Sequence, residues 1–360
     1  MGVSLRNSLN NGLNTGLPRS ISGGPRPIPF LEYVTIPTTT EFNLRASGSP
    51  NYEVDWGDGS VESSTAIQLS HTYSTAGSYT IRITPAAGTV YRPNFNNALS
   101  DNKILRVNGT GGSQLGTTLL TAWFGADQMT SFSSNINVSG VGGFRQTWQN
   151  CKKLTSFPLL DFSNANTFYA AWTSCKKLTS FPLIDSSGVT QFRDAWRNCT
   201  DLTSFPLLDT SSGTNFYQSW YTCGSLTSFP LIDVSNGSNF LGTWRGCSSL
   251  TSFPALDFSS ATTFDRAWLS CTSLQNFPAN MFDSTGTITN SNPFRDCWQN
   301  CALTAQSIEN ILVSLDTNGV TNKATAVDGG TNAAKSTWTT AANTAYTNLI
   351  GKGWTIAFNS

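Results

Sequence analysis

Apolar and polar positions along this chain follow three periods, and the longest dominates. Trp148, Trp172, Trp196, Trp220, Trp244 and Trp268 stand 24 residues apart. Three residues after each comes a cysteine: Cys151, Cys175, Cys199, Cys223, Cys247 and Cys271. The repeating line reads F-x-x-x-W-x-x-C-x-x-L-T-S-F-P, then two mostly aliphatic residues, then D-x-S. A unit this short cannot enclose a core, so each coil buries its apolar positions only by stacking on its neighbours, as in a solenoid. Phe144, Trp148 and Cys151 are spaced i, i+4, i+7, which predicts one face of a helical turn.

The pattern degenerates at both ends, as end coils that meet solvent on one side should. Phe95, Leu99, Asn102 and Leu105 take the Phe, Trp, Cys and Leu positions of a first coil, and Trp123, Ala126, Met129 and Phe132 mark a second. Phe294, Trp298 and Cys301 close the series after a longer step, giving about nine coils over residues 93–303. A period of two appears before the coils, in Tyr52-Glu53-Val54-Asp55-Trp56 and Tyr79-Thr80-Ile81-Arg82-Ile83, and predicts a small β-sandwich over 30–92. A helical period appears after them: Ile308, Ile311, Leu312 and Leu315 follow Thr304, and a second pattern carrying Trp338 and Leu349 runs over 336–350 to a stop at Gly351 or Gly353. With a strand over 354–358, residues 304–360 are expected to form an α/β cap. The expected class is mainly β with short helices: a sandwich, a solenoid and a cap. Residues 1–29 are polar, with Leu5, Leu9, Leu13 and Leu17 every fourth residue among asparagines and glycines that disfavour a free helix. They read as an arm whose leucines attach to a partner surface.

Two stretches resemble known families. Val54-Asp55-Trp56-Gly57-Asp58-Gly59-Ser60 is similar to the W-x-F-G-D-G turn of polycystic-kidney-disease (PKD) type domains, in shortened form. His71-Thr72-Tyr73 and Ala76-Gly77-Ser78-Tyr79-Thr80-Ile81 resemble the strand pair of that family. The resemblance implies an Ig-like module whose Trp and Tyr are core and which spaces or contacts other proteins without catalysis. Leu154, Phe157 and Leu159, behind the aromatic and Cys151, resemble the strand of BspA-type leucine-rich repeats of bacterial surface proteins. One departure is Pro158, repeated as Pro182, Pro206, Pro230, Pro254 and Pro278. Proline lacks the ladder donor, so the strands should be short, about three residues before each proline.

Composition narrows the function. Lys plus Arg and Asp plus Glu are 21 each, so no net field favours nucleic acid or an anionic membrane. Charged residues make up 12%, about half the usual ~25%; the hydroxyl- and amide-rich surface that replaces them suits an extracellular or virion protein. No apolar run is long enough for a membrane span. Met1-Gly2-Val3-Ser4-Leu5-Arg6 offers neither a hydrophobic leader core nor a myristoylation signal, which is expected of a component of particles released by lysis. Seven of eight cysteines share one repeat position, Cys297 being outside it. Stacked equivalents about 4.8 Å apart are too far apart for disulfides, whose β-carbons lie about 3.8 Å apart. The column reads as buried free thiols; a pair involving Cys297 stays open.

Catalytic chemistry is scarce. His71 is the single histidine and belongs to the H-x-Y motif, which leaves no Ser-His-Asp or Cys-His arrangement. No phosphate loop or metal motif occurs, so no cofactor or metal is expected. Asp161, Asp185, Asp209, Asp233 and Asp257 form a column, each with a serine two residues on, which reads as a turn former, with calcium binding as the alternative. Where the coils differ, a face could recognise a ligand: Arg145, Lys152, Lys153, Tyr169, Lys176, Lys177, Arg193, Arg197, Tyr217, Tyr221 and Arg245. Tyr and Arg are common interface anchors; a merely solvated face is the other reading. These features lead to an expected non-enzymatic phage surface protein, on tail or capsid, attached through its N-terminal part to other virion proteins and displaying the solenoid to a host glycan or protein. A bacterial surface adhesin and an accessory part of a carbohydrate-active enzyme are the alternatives.

Overall fold

The computed structural model describes residues 31–95, 103–109, 115–286, 288 and 290–360. The arm over 1–29, with Leu5, Leu9, Leu13 and Leu17, lies outside the described residues, as do Leu99 and Asn102. The described chain is mainly β, with two α-helices and open sheets. Its strands are β1 Leu31–Thr35, β2 Thr39–Ser47, β3 Tyr52–Asp55, β4 Val61–Ser64, β5 Gln68–Gly77, β6 Thr80–Pro85, β7 Arg92–Pro93, β8 Ile104–Gly109, β9 Ser131–Phe132, β10 Ala324–Val327 and β11 Thr355–Phe358. The helices are α1 Ala305–Asn318 and α2 Thr340–Gly351.

The period-two stretches are strands, β3 and β6, paired antiparallel with Val54 opposite Ile83. They belong to a six-stranded sheet ordered β4-β3-β6-β1-β8-β9; a separate three-stranded sheet is ordered β5-β2-β7. Tyr33 of the first and Phe42 of the second both meet Phe95, edge to face. Strand β8 lies beyond the boundary expected after residue 92. It pairs antiparallel with β1 and parallel with β9, so the first sheet continues directly into the repeats.

In the repeats the structure departs from the expected helical turn. Residues two before and two after each tryptophan have left-handed φ, for example Gln146 at 56° and Asn150 at 65°, Asp194 at 55° and Asn198 at 59°. Such residues interrupt an α-helix. They turn alternate peptide groups along the stacking direction, so the N–H groups of Phe144, Gln146, Trp148 and Asn150 all donate to the following repeat, at Thr167, Tyr169, Ala171 and Thr173. Parallel bridges join Thr118, Gly143, Thr167, Gln191, Asn215, Asn239 and Thr263 in an unbroken series. The strands expected before the prolines are also reduced. Apart from β9 and one bridge, Ser252 to Asn276, one threonine carries the middle steps, as where Thr203 N–H and hydroxyl both donate to the Thr179 carbonyl, at 3.0 and 3.1 Å.

Leu159 differs as well. It is 63% exposed while Leu160 is buried. The later repeats show why: Leu208 N–H donates to the Pro206 carbonyl, and Ile232 N–H to that of Pro230, at 2.9 and 3.0 Å. This two-residue closure is a γ-turn, and its central leucine sits at the tip.

Each interior is aromatic. Trp148, Trp172 and Trp196 are fully buried and stack with centroids 5.5 and 5.6 Å apart, while Phe157 and Phe181 stand edge-on between them. The indole N–H groups of the ladder tryptophans from Trp148 to Trp298 are buried without an acceptor, so the indoles meet through ring contacts while the backbone N–H groups carry the polar ones. Beyond Trp298, β10 supplies the carbonyls that a further repeat would have offered: Trp298 and Asn300 donate to Ala326 and Asp328 at 3.2 and 2.9 Å. Helix α1 starts at its N-cap Thr304, whose hydroxyl accepts from Ser307 N–H, and stops at Gly319 with φ 79°. Ser307 and Ser314 of α1 accept the N–H groups of Phe277 and Phe282, which docks the helix on the last repeat.

Candidate functional site

The residue three before each tryptophan and the residue one after it are four apart and form two parallel columns on the outer surface. The first runs Arg145, Tyr169, Arg193, Tyr217. Arg145 lies 4.5 Å from the Tyr169 ring centre, and Arg193 sits over both Tyr169 and Tyr217, at 5.4 and 4.6 Å. The second runs Arg197, Tyr221, Arg245, with both guanidinium groups over Tyr221 at 5.0 and 5.5 Å. A cation held over an aromatic face keeps its N–H edge available to a ligand, and each such contact is worth about 0.5–1 kcal/mol at a surface.

Asp194 fixes the junction of the two columns. Its carboxylate is almost covered and meets Arg193 at 3.3 Å and Arg197 at 3.4 Å. Burial raises its pKa, and the two arginines oppose that rise without cancelling it. Farther along, Arg295 closes on Asp265 through two N–H groups, at 3.2 and 2.5 Å. Neither acid was singled out from sequence, although Asp265 stands at a column position, three before Trp268; Asp194 is two before Trp196.

The lysines are placed elsewhere. Lys152 pairs with Asp127 at 3.8 Å, Lys153 donates to Gln128 at 2.6 Å, and Lys177 pairs with Asp201 at 2.9 Å. Lys176 offers its backbone carbonyl to Asp201 N–H. The structure thus unites the Arg and Tyr positions into one face and ties most of the lysines to partners of their own. Sequence reasoning missed a second surface feature, the ridge of Leu159, Leu183, Leu207 and Leu231, each more than 60% exposed at a turn tip.

The aspartate column forms turns. Asp161, Asp185, Asp209, Asp233 and Asp257 accept the N–H of the serine two residues on, at 2.9–3.1 Å. Those serines hold the Asp161 and Asp209 carboxyls below the usual range. No group of three potential metal ligands occurs among the described residues. His71 stacks on Trp56 at 4.7 Å and meets Asp58 at 2.8 Å. Ser60 donates to the other oxygen of Asp58, so the acid stands between serine and imidazole, the wrong order for an activated nucleophile. All eight cysteines are free and buried, Cys297 included. Among the described residues, no helix is long and apolar enough to cross a membrane.

No protein-family model matches this chain, and neither the curated proteins nor the solved structures compared with it give a match.

Proposed function

We propose that this chain is a non-enzymatic phage virion protein, with a PKD-like module followed by a leucine-rich-like solenoid that is displayed for recognition. The observation that carries the reading is the division between an invariant interior and a variable exterior. Phe, Trp, Cys and Leu repeat inside, where they are fully buried, while the residues flanking each Trp change to build the Arg and Tyr columns. A stack of this kind offers a long rigid face whose chemistry is set repeat by repeat. Strand β8 pairs with β1 of the first sheet and with β9 of the repeats, which favours a rigid projection over a hinged one. The N-terminal part is the attachment end in this reading, with residues 1–29 as the arm that meets other virion proteins.

A mass-spectrometric inventory of purified particles tests the proposal. Peptides of this chain should co-purify with the particle proteins through a density gradient. Recovery only from the envelope of uninfected cells would replace the proposal by the bacterial adhesin.

A further inference from the structure

The first complete repeats differ from the later ones in one respect. Along the row of parallel bridges, Gly143 stands between Thr118 and Thr167, where the next rungs carry Gln191, Asn215, Asn239 and Thr263. The preceding residue is also glycine, Gly142, in place of Asn166 or Thr190. Neighbouring side chains lean over the two glycines: a β-carbon at Gly143 would stand 3.1 Å from the Thr118 methyl, and one at Gly142 3.1 Å from the Asn166 amide nitrogen. The groove there has a volume of about 710 Å³, inside the range of about 300–1,000 Å³ usual for small-ligand sites.

Its walls combine three chemistries. Leu120, half exposed, supplies an apolar patch. Thr118, Thr167, Asn164 and Asn166 supply hydroxyls and amides. Arg145 stands at the edge as the cation. Its guanidinium is steadied over Tyr169, and it makes no ion pair among the described residues.

We infer that this groove binds an oligosaccharide through a carboxylate-bearing sugar. The hydroxyl and amide groups match sugar hydroxyls, the leucine matches the C–H face of a pyranose ring, and the planar fork of Arg145 pairs with a carboxylate through two parallel N–H bonds. The chain is neutral overall, and a single arginine does not make the cationic track that a polyphosphate backbone requires. The inference rests on the reading of the repeats as a displayed recognition surface and names the ligand class of one part of it.

Biolayer interferometry of the full chain on immobilised trigalacturonate, sialyllactose, lactose and glucose 6-phosphate tests it. At least one of the two carboxylated probes should bind at least about tenfold tighter than lactose, about 1.4 kcal/mol, and which one it is identifies the uronic or sialic source. Two variants should each weaken that binding about tenfold or more. Gly143→Thr narrows the groove with a side chain that the same rung position carries at Thr167 and Thr263, and Arg145→Leu introduces the residue found at the equivalent Leu241. Gln191→Thr, outside the groove, should bind as wild type, and all three should still melt cooperatively. Equal binding of lactose, preference for the phosphate, binding that survives both variants, or no binding to any probe would overturn the inference. None of those results touches the particle inventory, and absence of the chain from particles would leave measured groove binding intact, so the two proposals fail separately.

Discussion

The thiol of Cys199 donates a hydrogen bond to the carbonyl oxygen of Trp172, 27 residues earlier, across 3.3 Å. The same carbonyl also accepts Cys175 N–H within its own repeat. The pattern recurs from Cys151 to Cys301, and Cys297 makes its own version to Phe264 at 3.1 Å. At the equivalent place in earlier repeats, hydroxyls of Thr147, Ser219 and Thr243 do the same. The cysteines are therefore inter-repeat donors as well as filling atoms.

Cys199→Ala should lower stability by about 1–2 kcal/mol, because the Trp172 carbonyl loses a buried donor and a small cavity opens. Urea denaturation followed by tryptophan fluorescence measures it. An unchanged midpoint would show that the thiol bond contributes nothing.

Alkaline pH should unfold the repeats. Burial raises the thiols of Cys175, Cys199, Cys223, Cys271 and Cys297, and pushes those of Cys247 and Cys301 up to about 12. An unfolded thiol ionises near 8.5. A raised native pKa contributes stability that is intact below that value and lost as pH climbs toward 12, at about 1.4 kcal/mol per pH unit for each cysteine. Melting temperatures at pH 7 to 10.5 should fall steeply above about 8.5, and native thiols should react with a thiol reagent only on unfolding. A flat profile would mean exposed or oxidised cysteines.

The first sheet pair should lose stability in acid. Burial pushes the Asp58 carboxyl up, but the hydroxyl and N–H of Ser60 together with His71 outweigh it and bring it down to about 2. A lowered carboxyl stabilises above its unfolded value, near 3.9, and that contribution disappears as pH falls toward 2. Asp58→Asn should melt below wild type at pH 6, and the difference should shrink by pH 2. A difference independent of pH would assign the effect to hydrogen bonding alone.

Adjacent leucines test the γ-turn. Leu207 is 61% exposed and Leu208 only 2%, so Leu207→Ala should stay within about 0.5 kcal/mol of wild type while Leu208→Ala costs about 2–5 kcal/mol. Equal costs in thermal melts would place Leu207 in the core.

Much of the interior was legible because a burial pattern repeated every 24 residues has few alternatives: the Trp, Cys and Phe positions are buried as their spacing implied. The backbone between them was not. Asn150 and Asn198 tolerate left-handed φ, but Ala170 and Thr222 adopt it too, and nothing in those residue types announces it. Leu207 and Leu208 are equally apolar, and only the closure around Pro206 decides which faces water. The Arg and Tyr columns could be counted from sequence. The separation of the lysines could not, since the acids that draw them away, Asp127 and Asp201, lie about one repeat distant. The groove beside Gly143 was hidden because Trp123 and Trp148 are 25 residues apart, one more than the period.

The most direct measurement is immunogold labelling of intact purified particles with antibody raised against residues 144–278. A surface-displayed repeat region predicts gold on the outside of particles, and no gold on particles lacking the chain. Particles that stay unlabelled, with gold instead on uninfected cells or on neither, would contradict it.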